Sequence, residues 1–129
     1  MGRILRNLDI DGGKKRAVFD TGSTTSFINK DVLPECAVCI KVNDIDVVMG
    51  GKRQITNKRC FIQGKLEDIP FEFDAFVIGD IGDLNEKGET HHLDVLIGAT
   101  TMEEWNIGLN PKKQELNLTG LKKREFLAV

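Results

Sequence analysis

One aspartate stands where a β-type stretch ends and a turn begins. Asp20 follows the apolar residues Ala17–Phe19 and precedes Thr21 and Gly22. Aspartate favours turns through hydrogen bonds to its own backbone, so capping a turn is the plain interpretation of Asp20. An ionised carboxylate at the end of a buried strand destabilises the fold, however, unless hydroxyl or backbone N–H groups donate hydrogen bonds to it. Thr21 and the accessible backbone at Gly22 supply such donors, which makes Asp20 a candidate for acid and base chemistry.

Three cysteines are the second candidate for chemistry. Cys36 and Cys39 have the C-x-x-C spacing of a redox pair or of half a zinc site, but a redox motif needs a βαβ context that the sequence lacks. A zinc site needs further ligands, for which Cys60 and the doublet His91–His92 are poorly placed. We therefore predict no metal site and no cofactor, and we expect all three cysteines to remain thiols in a reducing compartment.

Composition excludes several classes of function. The chain has 129 residues and is 40% hydrophobic, which predicts a single domain over residues 1–129. It carries 18 Lys and Arg against 20 Asp and Glu, so it lacks the strongly basic surface that nucleic-acid binding demands. No stretch approaches the roughly 18 apolar residues of a membrane span, and the first residues lack the apolar segment of a signal peptide. We expect a cytoplasmic protein that binds neither nucleic acid nor membrane.

Short apolar runs separated by glycine-bearing turns predict a mainly β domain. Two strands flank the "DGG" at 11–13 as a hairpin, and the second of them delivers Asp20. A longer hairpin is predicted over 45–62, with Gly50 and Gly51 near its tip, where positive φ or a close approach to a ligand is tolerated. These glycines equally suit a plain hairpin turn.

The second half of the chain predicts further strands and an exposed loop. "PFEFDAFVI" at 70–78 alternates apolar and polar residues, which is typical of a half-buried strand. The polar segment 79–92 is expected to be a loop, and strands are expected at 93–98 and 114–118.

One short helix is predicted after the strand at 93–98. Thr100 stands three residues before Glu103, which is the spacing of a capping box, and Gly108 is placed to end the helix. The tail over 120–129 is expected either to pack against the domain or to be flexible.

Two motifs in this order resemble those of the retropepsin-like aspartic proteases. "AVFDTGS" at 17–23 is similar to the family's first signature, apolar residues followed by Asp-Thr-Gly, and "VLIGATTMEEW" at 95–105 is similar to its second, in which glycine precedes a short helix. Between them, "VVMGGKRQI" at 47–55 occupies the place of the family's flap. The resemblance covers roughly residues 3–119. It implies a retropepsin-like half-barrel with a flap hairpin and one short C-terminal helix.

The resemblance also implies a function. The family uses two aspartates in one site and this chain has one Asp-Thr-Gly, so the resemblance implies a homodimer with one Asp20 from each subunit. The dyad would share one proton and activate a water that hydrolyses a polypeptide, as an aspartic endopeptidase does. By resemblance, Thr21 would bond across the dimer axis and Gly22 would offer backbone to the substrate. Further substrate contacts would come from Ser23 in the cleft wall and from the flap residues Met49, Gly50 and Gly51.

Departures from the family pattern keep a second interpretation open. Ala99 and Thr100 follow Gly98 where many relatives have a charged or strongly polar residue, and the segment 79–92 is longer than in compact viral members. The tail beyond Gly120 also differs from the chain ends that interleave in viral dimers. The alternative is a catalytically weak or inactive retropepsin-like module that serves in dimerisation or peptide binding.

Overall fold

The computed structural model describes residues 2–125, which form a mainly β fold with two short helices. The strands are β1 (Arg3–Ile10), β2 (Gly13–Asp20), β3 (Phe27–Asn29), β4 (Val38–Met49), β5 (Lys52–Leu66), β6 (Ile69–Ile78), β7 (Asp83–Glu86), β8 (Glu89–His92), β9 (Val95–Ile97), β10 (Gly108–Asn110) and β11 (Glu115–Asn117). The helices are α1 (Ala99–Glu104) and α2 (Thr119–Lys123), and a 3-10 turn spans Lys30–Val32.

Seven strands form one sheet that curls back on itself. Their order is β1-β2-β9-β3-β6-β5-β4, and β1 also pairs with β5 where Ile10 lies opposite Gly64. Gly64 is needed at this crossing because a Cβ there would lie 2.5 Å from the carbonyl oxygen of Asp9. The curled sheet is the half-barrel that the resemblance implies.

The main core lies inside this curl. Phe71, Phe73 and Ala75 of β6 all point inward, as their alternation predicts. Trp105, just after α1, packs against the same cluster, and its indole N–H donates to the carbonyl oxygen of Glu72 over 2.7 Å. Helix α1 is therefore fixed against β6.

A second core lies under the tip of the β4–β5 hairpin. Val47 of β4 is buried in this core, and the half-buried Met49 packs against it. Their partners come from strands β2, β3, β6 and β9 and from the segments that flank the β7–β8 hairpin: Val18, Phe27, Ile78, Ile81, Leu93 and Leu96. The hairpin tip is thus folded down onto the body of the sheet.

The segment 79–92 contains a hairpin rather than only the predicted loop. Strands β7 and β8 pair from Asp83 opposite His92 to Glu86 opposite Glu89. The turn between them places Lys87 at φ 52° and Gly88 at φ 80°. Lysine rarely adopts positive φ, so the sequence gives a weak turn signal here.

The predicted bounds of the C-terminal helix are also corrected. Helix α1 starts at Ala99 with Gly98 as its N-cap, and no side chain caps it, so the capping box predicted from Thr100 is wrong. The helix ends at Glu104, and Gly108 begins β10 instead of ending the helix. The chain turns at Asn106, whose φ is 53°.

A second helix follows where the sequence predicts only a tail. Leu121 of α2 is fully buried in the main core, which explains why this part of 120–129 docks. The remainder of that prediction, residues 126–129, lies outside the described residues.

The expectation that all three cysteines remain thiols is wrong. Cys39 of β4 lies opposite Cys60 of β5, and the two form a disulfide with their Cα atoms 4.0 Å apart. Cys36 is exposed and is the free cysteine of the described chain. The strand register brings together two cysteines that are 21 residues apart, and C-x-x-C spacing gives no hint of it.

Candidate functional site

Parallel pairing brings the two sequence signatures to one edge of the sheet. Strand β2 runs parallel to β9, with Phe19 opposite Ile97. The residues that follow Phe19 and Ile97 therefore emerge at the same edge. These residues are Asp20, which ends β2, and Gly98, which begins the turn into α1.

Backbone hydrogen bonds join the loop after Asp20 to the start of α1. The Ala99 N–H donates to the carbonyl oxygen of Ser23 over 2.7 Å, and the Thr100 N–H donates to that of Thr24 over 3.0 Å. The first N–H groups of a helix have no partner inside it, so the loop satisfies them. Ala99 and Thr100 thus support the loop through their backbone N–H groups, which every residue type except proline provides.

Gly98 makes this contact close. A Cβ on Gly98 would lie 2.5 Å from the carbonyl oxygen of Thr25 and 2.8 Å from that of Ser23. Beneath it, the buried Ser26 hydroxyl accepts a hydrogen bond from the Gly98 N–H at 3.0 Å and lies 2.7 Å from the Thr101 hydroxyl. Sequence reasoning missed Ser26 and Thr101, although the hydroxyl run "TTS" at 24–26 was a signal.

The loop orients the Asp20 carboxylate. The Gly22 N–H donates to Oδ1 of Asp20 over 2.8 Å, and the Ser23 N–H donates to the Asp20 carbonyl oxygen over 3.2 Å. The side chain is half-buried. The bond from the Gly22 N–H is the turn-capping bond of the plain interpretation of Asp20, and it also orients the carboxylate where it lines a cleft. An acid or base in a cleft has to be held in such a position.

A cleft of about 540 Å³ lies between this loop and the β4–β5 hairpin. Its lining includes five of the predicted site residues, namely Asp20, Gly22, Ser23, Met49 and Gly50, whereas Thr21 and Gly51 lie outside it. Sequence reasoning missed the apolar wall, formed by Phe27, Val47, Phe76 and Leu96. The cleft thus combines a carboxylate that accepts from a backbone N–H with apolar walls beneath an overhanging hairpin.

The overhanging hairpin occupies the place that the resemblance gives to a flap. Its two-residue turn places Gly50 at φ 57° and Gly51 at φ 77°, so both glycines are required by backbone conformation. Lys52 and Arg53, beyond the turn, are exposed and do not line the cleft, whereas Asp46 does. The charged groups of the cleft are therefore acidic.

A slightly larger groove of about 610 Å³ runs along β10 and β11. Its charged lining residues are Glu67, Glu115 and Lys122, and they are exposed. We assign the site to the smaller cleft because the oriented Asp20 lies there.

Thr21 is engaged within its own chain. Its N–H donates to the carbonyl oxygen of Gly2 over 3.1 Å, and its hydroxyl oxygen accepts a hydrogen bond from the Gly2 N–H over 3.2 Å. Gly2 fits tightly, since a Cβ there would lie 2.5 Å from Cγ of Pro111 and 2.9 Å from Cδ2 of Leu109. The groups that the resemblance assigns to a bond across a dimer axis are thus occupied by Gly2.

The histidine doublet belongs to a surface network. His92 hydrogen-bonds Asp83 over 2.9 Å, and this bond raises the pKa of His92 above 6.5. Nδ1 of His91 lies 2.9 Å from the Arg16 guanidinium. Within residues 2–125, no group of three or more His, Cys, Asp or Glu side chains is placed to hold a metal ion.

No protein-family model and no curated protein sequence matches this chain. Among solved structures, the retroviral protease-like domain of Ddi1 from Leishmania major is similar, with a TM-score of 0.60 and 16% identity over 92% of this chain and 90% of that one. The foamy viral protease-reverse transcriptase has a TM-score of 0.49 and 12% identity over 80% of this chain and 12% of its own. Lpg0085 from Legionella pneumophila, of unknown function, has a TM-score of 0.48 and 12% identity over 91% of this chain and 94% of its own.

The likeness to the Ddi1 domain shows a retropepsin-like fold. At this identity it shows the fold alone, and the two weaker likenesses carry no argument. No helix in the described residues is both long and apolar enough to cross a membrane.

Proposed function

We propose that this chain is an aspartic endopeptidase that works as a homodimer. The observation that carries the proposal is the oriented Asp20 in a cleft that the flap overhangs, because this joins a candidate acid or base to a site shaped for an extended polypeptide. The retropepsin-like fold supports it. These 129 residues hold one Asp-Thr-Gly, and the proposal takes the second aspartate from another subunit.

The proposed chemistry follows from bringing two carboxylates together. At about 3 Å they cannot both ionise, so the pair holds one proton and titrates as a unit. The ionised carboxylate accepts a proton from water as the water oxygen attacks the peptide carbonyl carbon. The protonated carboxylate donates to the carbonyl oxygen, and a proton then passes to the departing amide nitrogen. Assistance of each kind contributes about 10² to 10⁴ in rate.

Cleavage of a diverse peptide pool at several pH values tests the proposal. We expect the wild-type protein to cleave a subset of peptides and Asp20→Asn to cleave none, with its fold retained because the amide oxygen still accepts from the Gly22 N–H. Asp31→Asn is the matched control, since Asp31 is an exposed carboxylate outside the cleft. Cleavage by Asp20→Asn at the wild-type rate would refute the mechanism.

A second candidate function is a retropepsin-like binding module with negligible turnover. One observation favours it: Gly2 occupies the N–H and hydroxyl groups of Thr21 that a dimer would use. A statine-type analogue of the tetrahedral intermediate separates the candidates, because an enzyme binds it and its dimer is stabilised by linkage. A module that binds peptides but shows no stabilisation by the analogue would fit the second candidate.

A cytoplasmic location is part of the proposal and rests on the sequence alone. The Cys39–Cys60 disulfide argues against this location, because glutathione and thioredoxin keep most cytosolic thiols reduced. Alkylation of thiols in freshly lysed cells, followed by mass spectrometry, measures the state of this pair.

A further inference from the structure

The side chain of Gln54 bridges the flap to another part of the chain. Its Nε2 donates to the carbonyl oxygen of Asp80 over 2.6 Å, and its Oε1 accepts from the N–H of Asp80 over 3.0 Å. One amide group therefore satisfies both backbone polar groups of a residue 26 positions away. An alanine at position 54 would leave both groups of Asp80 without this partner.

This bridge acts close to the flap tip. Gln54 lies opposite Val47 in the β4–β5 register, and Val47 is 8% exposed and lines the cleft. The flap turn at Gly50 and Gly51 begins only a few residues away. A constraint on Gln54 is thus a constraint on the part of the flap that overhangs Asp20.

The backbone cannot supply this constraint. The ladder between β5 and β6 ends at Arg59 opposite Phe76, so β5 continues toward the tip beyond its pairing with β6. Between that point and Gln54, the buried Thr56 hydroxyl donates to the carbonyl oxygen of Val77 over 2.6 Å. Side chains therefore take over from the ladder in attaching the flap to the body.

The other end of the bridge is anchored. The Ile81 N–H donates to Oδ1 of Asn29 over 2.8 Å, and Nδ2 of Asn29 donates to the carbonyl oxygen of Leu93 over 2.8 Å. Asn29 is 3% exposed, and Oδ1 of Asp80 accepts from the Gly82 N–H over 2.9 Å. Gln54 consequently holds the flap to a fixed segment rather than to a mobile loop.

We propose that Gln54 is a positioning residue that latches the flap onto the segment 79–82 and so sets its height over Asp20. The inference rests on the proposed function for its effect on substrate, and on geometry alone for its effect on the flap. Loss of the latch lets the flap open more often, which weakens substrate binding more than it slows the chemical step.

Amide hydrogen exchange tests the latch without any need for turnover. We expect Gln54→Ala to raise the exchange rate of flap amides over 45–56 by about 10-fold, because two hydrogen bonds to the body are lost. Gln54→Glu keeps the shape but turns a carboxylate oxygen toward the Asp80 carbonyl, so it should raise exchange as well. Exchange in β1 should not change. Asn57→Ala, which alters an exposed residue on the same strand, is the matched control.

Kinetics then test the positioning role. For a cleaved peptide, we expect Gln54→Ala to raise KM about 10-fold with kcat within about twofold. Flap exchange equal to that of the control, or faster exchange with KM unchanged, would overturn the proposal. If flap exchange rises but no variant, including wild type, cleaves any peptide, the latch stands and the proposed function fails. If wild type cleaves and the exchange of Gln54→Ala is unchanged, the latch alone fails.

Discussion

A methyl group added at Gly98 tests whether the two signatures are packed together as described. Gly98 has φ −93°, a conformation open to any residue, so Gly98→Ala introduces no backbone strain. Its effect has to come from contact. The new carbon would lie 2.5 Å from the carbonyl oxygen of Thr25, which must retreat by about 0.9 Å to reach the 3.4 Å of an ordinary contact.

The cost of that displacement follows from the contacts that hold the loop. Overpacking a tight site costs about 1 to 3 kcal/mol. Hydrogen bonds from Gly98, Ala99 and Thr100 reach the loop, and each contributes about 0.5 to 1.5 kcal/mol if it is lost. Alanine also lowers the conformational entropy of the unfolded chain, which offsets the loss by about 0.4 to 1 kcal/mol. We expect Gly98→Ala to lower the free energy of unfolding by about 2 to 4 kcal/mol.

Urea unfolding at one fixed protein concentration measures this change, since dimerisation would make stability depend on concentration. Gly13→Ala is the control, because its nearest neighbour would be the flexible Nζ end of Lys15 at 3.3 Å. The peptide assay should show a fall on the order of 10²-fold, since the displaced loop orients the Asp20 carboxylate. A stability within about 0.5 kcal/mol of the control would refute the packing argument.

Three further predictions concern the disulfide, a histidine and the chain start. Reducing the Cys39–Cys60 disulfide should lower the free energy of unfolding by about 3 kcal/mol, because the bond closes a loop with a sequence separation of 21. NMR titration should place the pKa of His92 above 6.5, and Asp83→Asn should lower it. Because the folded pKa is raised, this pair stabilises the fold fully below pH 6.5 and less as pH rises through the folded pKa. Gly2→Val should strengthen the proposed dimer in sedimentation experiments, because its side chain displaces the segment that hydrogen-bonds the Thr21 N–H and hydroxyl.

Each of these has an outcome that contradicts it. Cys36→Ser should be as stable as wild type in oxidising buffer and should lose as much stability as wild type on reduction, because it keeps the disulfide. If reductant destabilised wild type no more than a Cys39→Ala variant, the disulfide would be refuted. A His92 pKa that Asp83→Asn does not lower would assign the shift to another group. Weaker dimers of Gly2→Val would mean that Gly2 supports assembly rather than competing with it.

Local patterns were enough for the elements around Asp20. The "DGG" turn and its flanking alternation predict β1 and β2, and the glycine pair predicts the turn of the β4–β5 hairpin, because hairpin turns of this kind depend on few residues. The half-barrel came from resemblance to a family, and the association of Asp20 with Gly98 came from the structure. Spacing could not supply them, since the parallel pairing of β2 and β9 joins residues far apart in the chain.

Long-range contacts account for most of what sequence reasoning missed. The bridge from Gln54 to Asp80 depends on where β5 leaves β6, and the disulfide depends on a β4–β5 register that shifts between Lys41 and Ile45. The hairpin within 79–92 was hidden because a lysine takes a positive φ that usually falls to glycine or asparagine. Each error came from a contact or a strain that the rest of the fold imposes.

Mixing active and inactive subunits tests most directly whether one site needs two copies of Asp20. Wild type and Asp20→Asn are unfolded and refolded together in equal amounts, and peptide cleavage is compared with that of wild type alone at the same total concentration. A site shared across a symmetric dimer predicts about a quarter of the activity, because random pairing leaves only that share of dimers with two aspartates. Activity of about half, as expected if each chain works alone, would contradict the account.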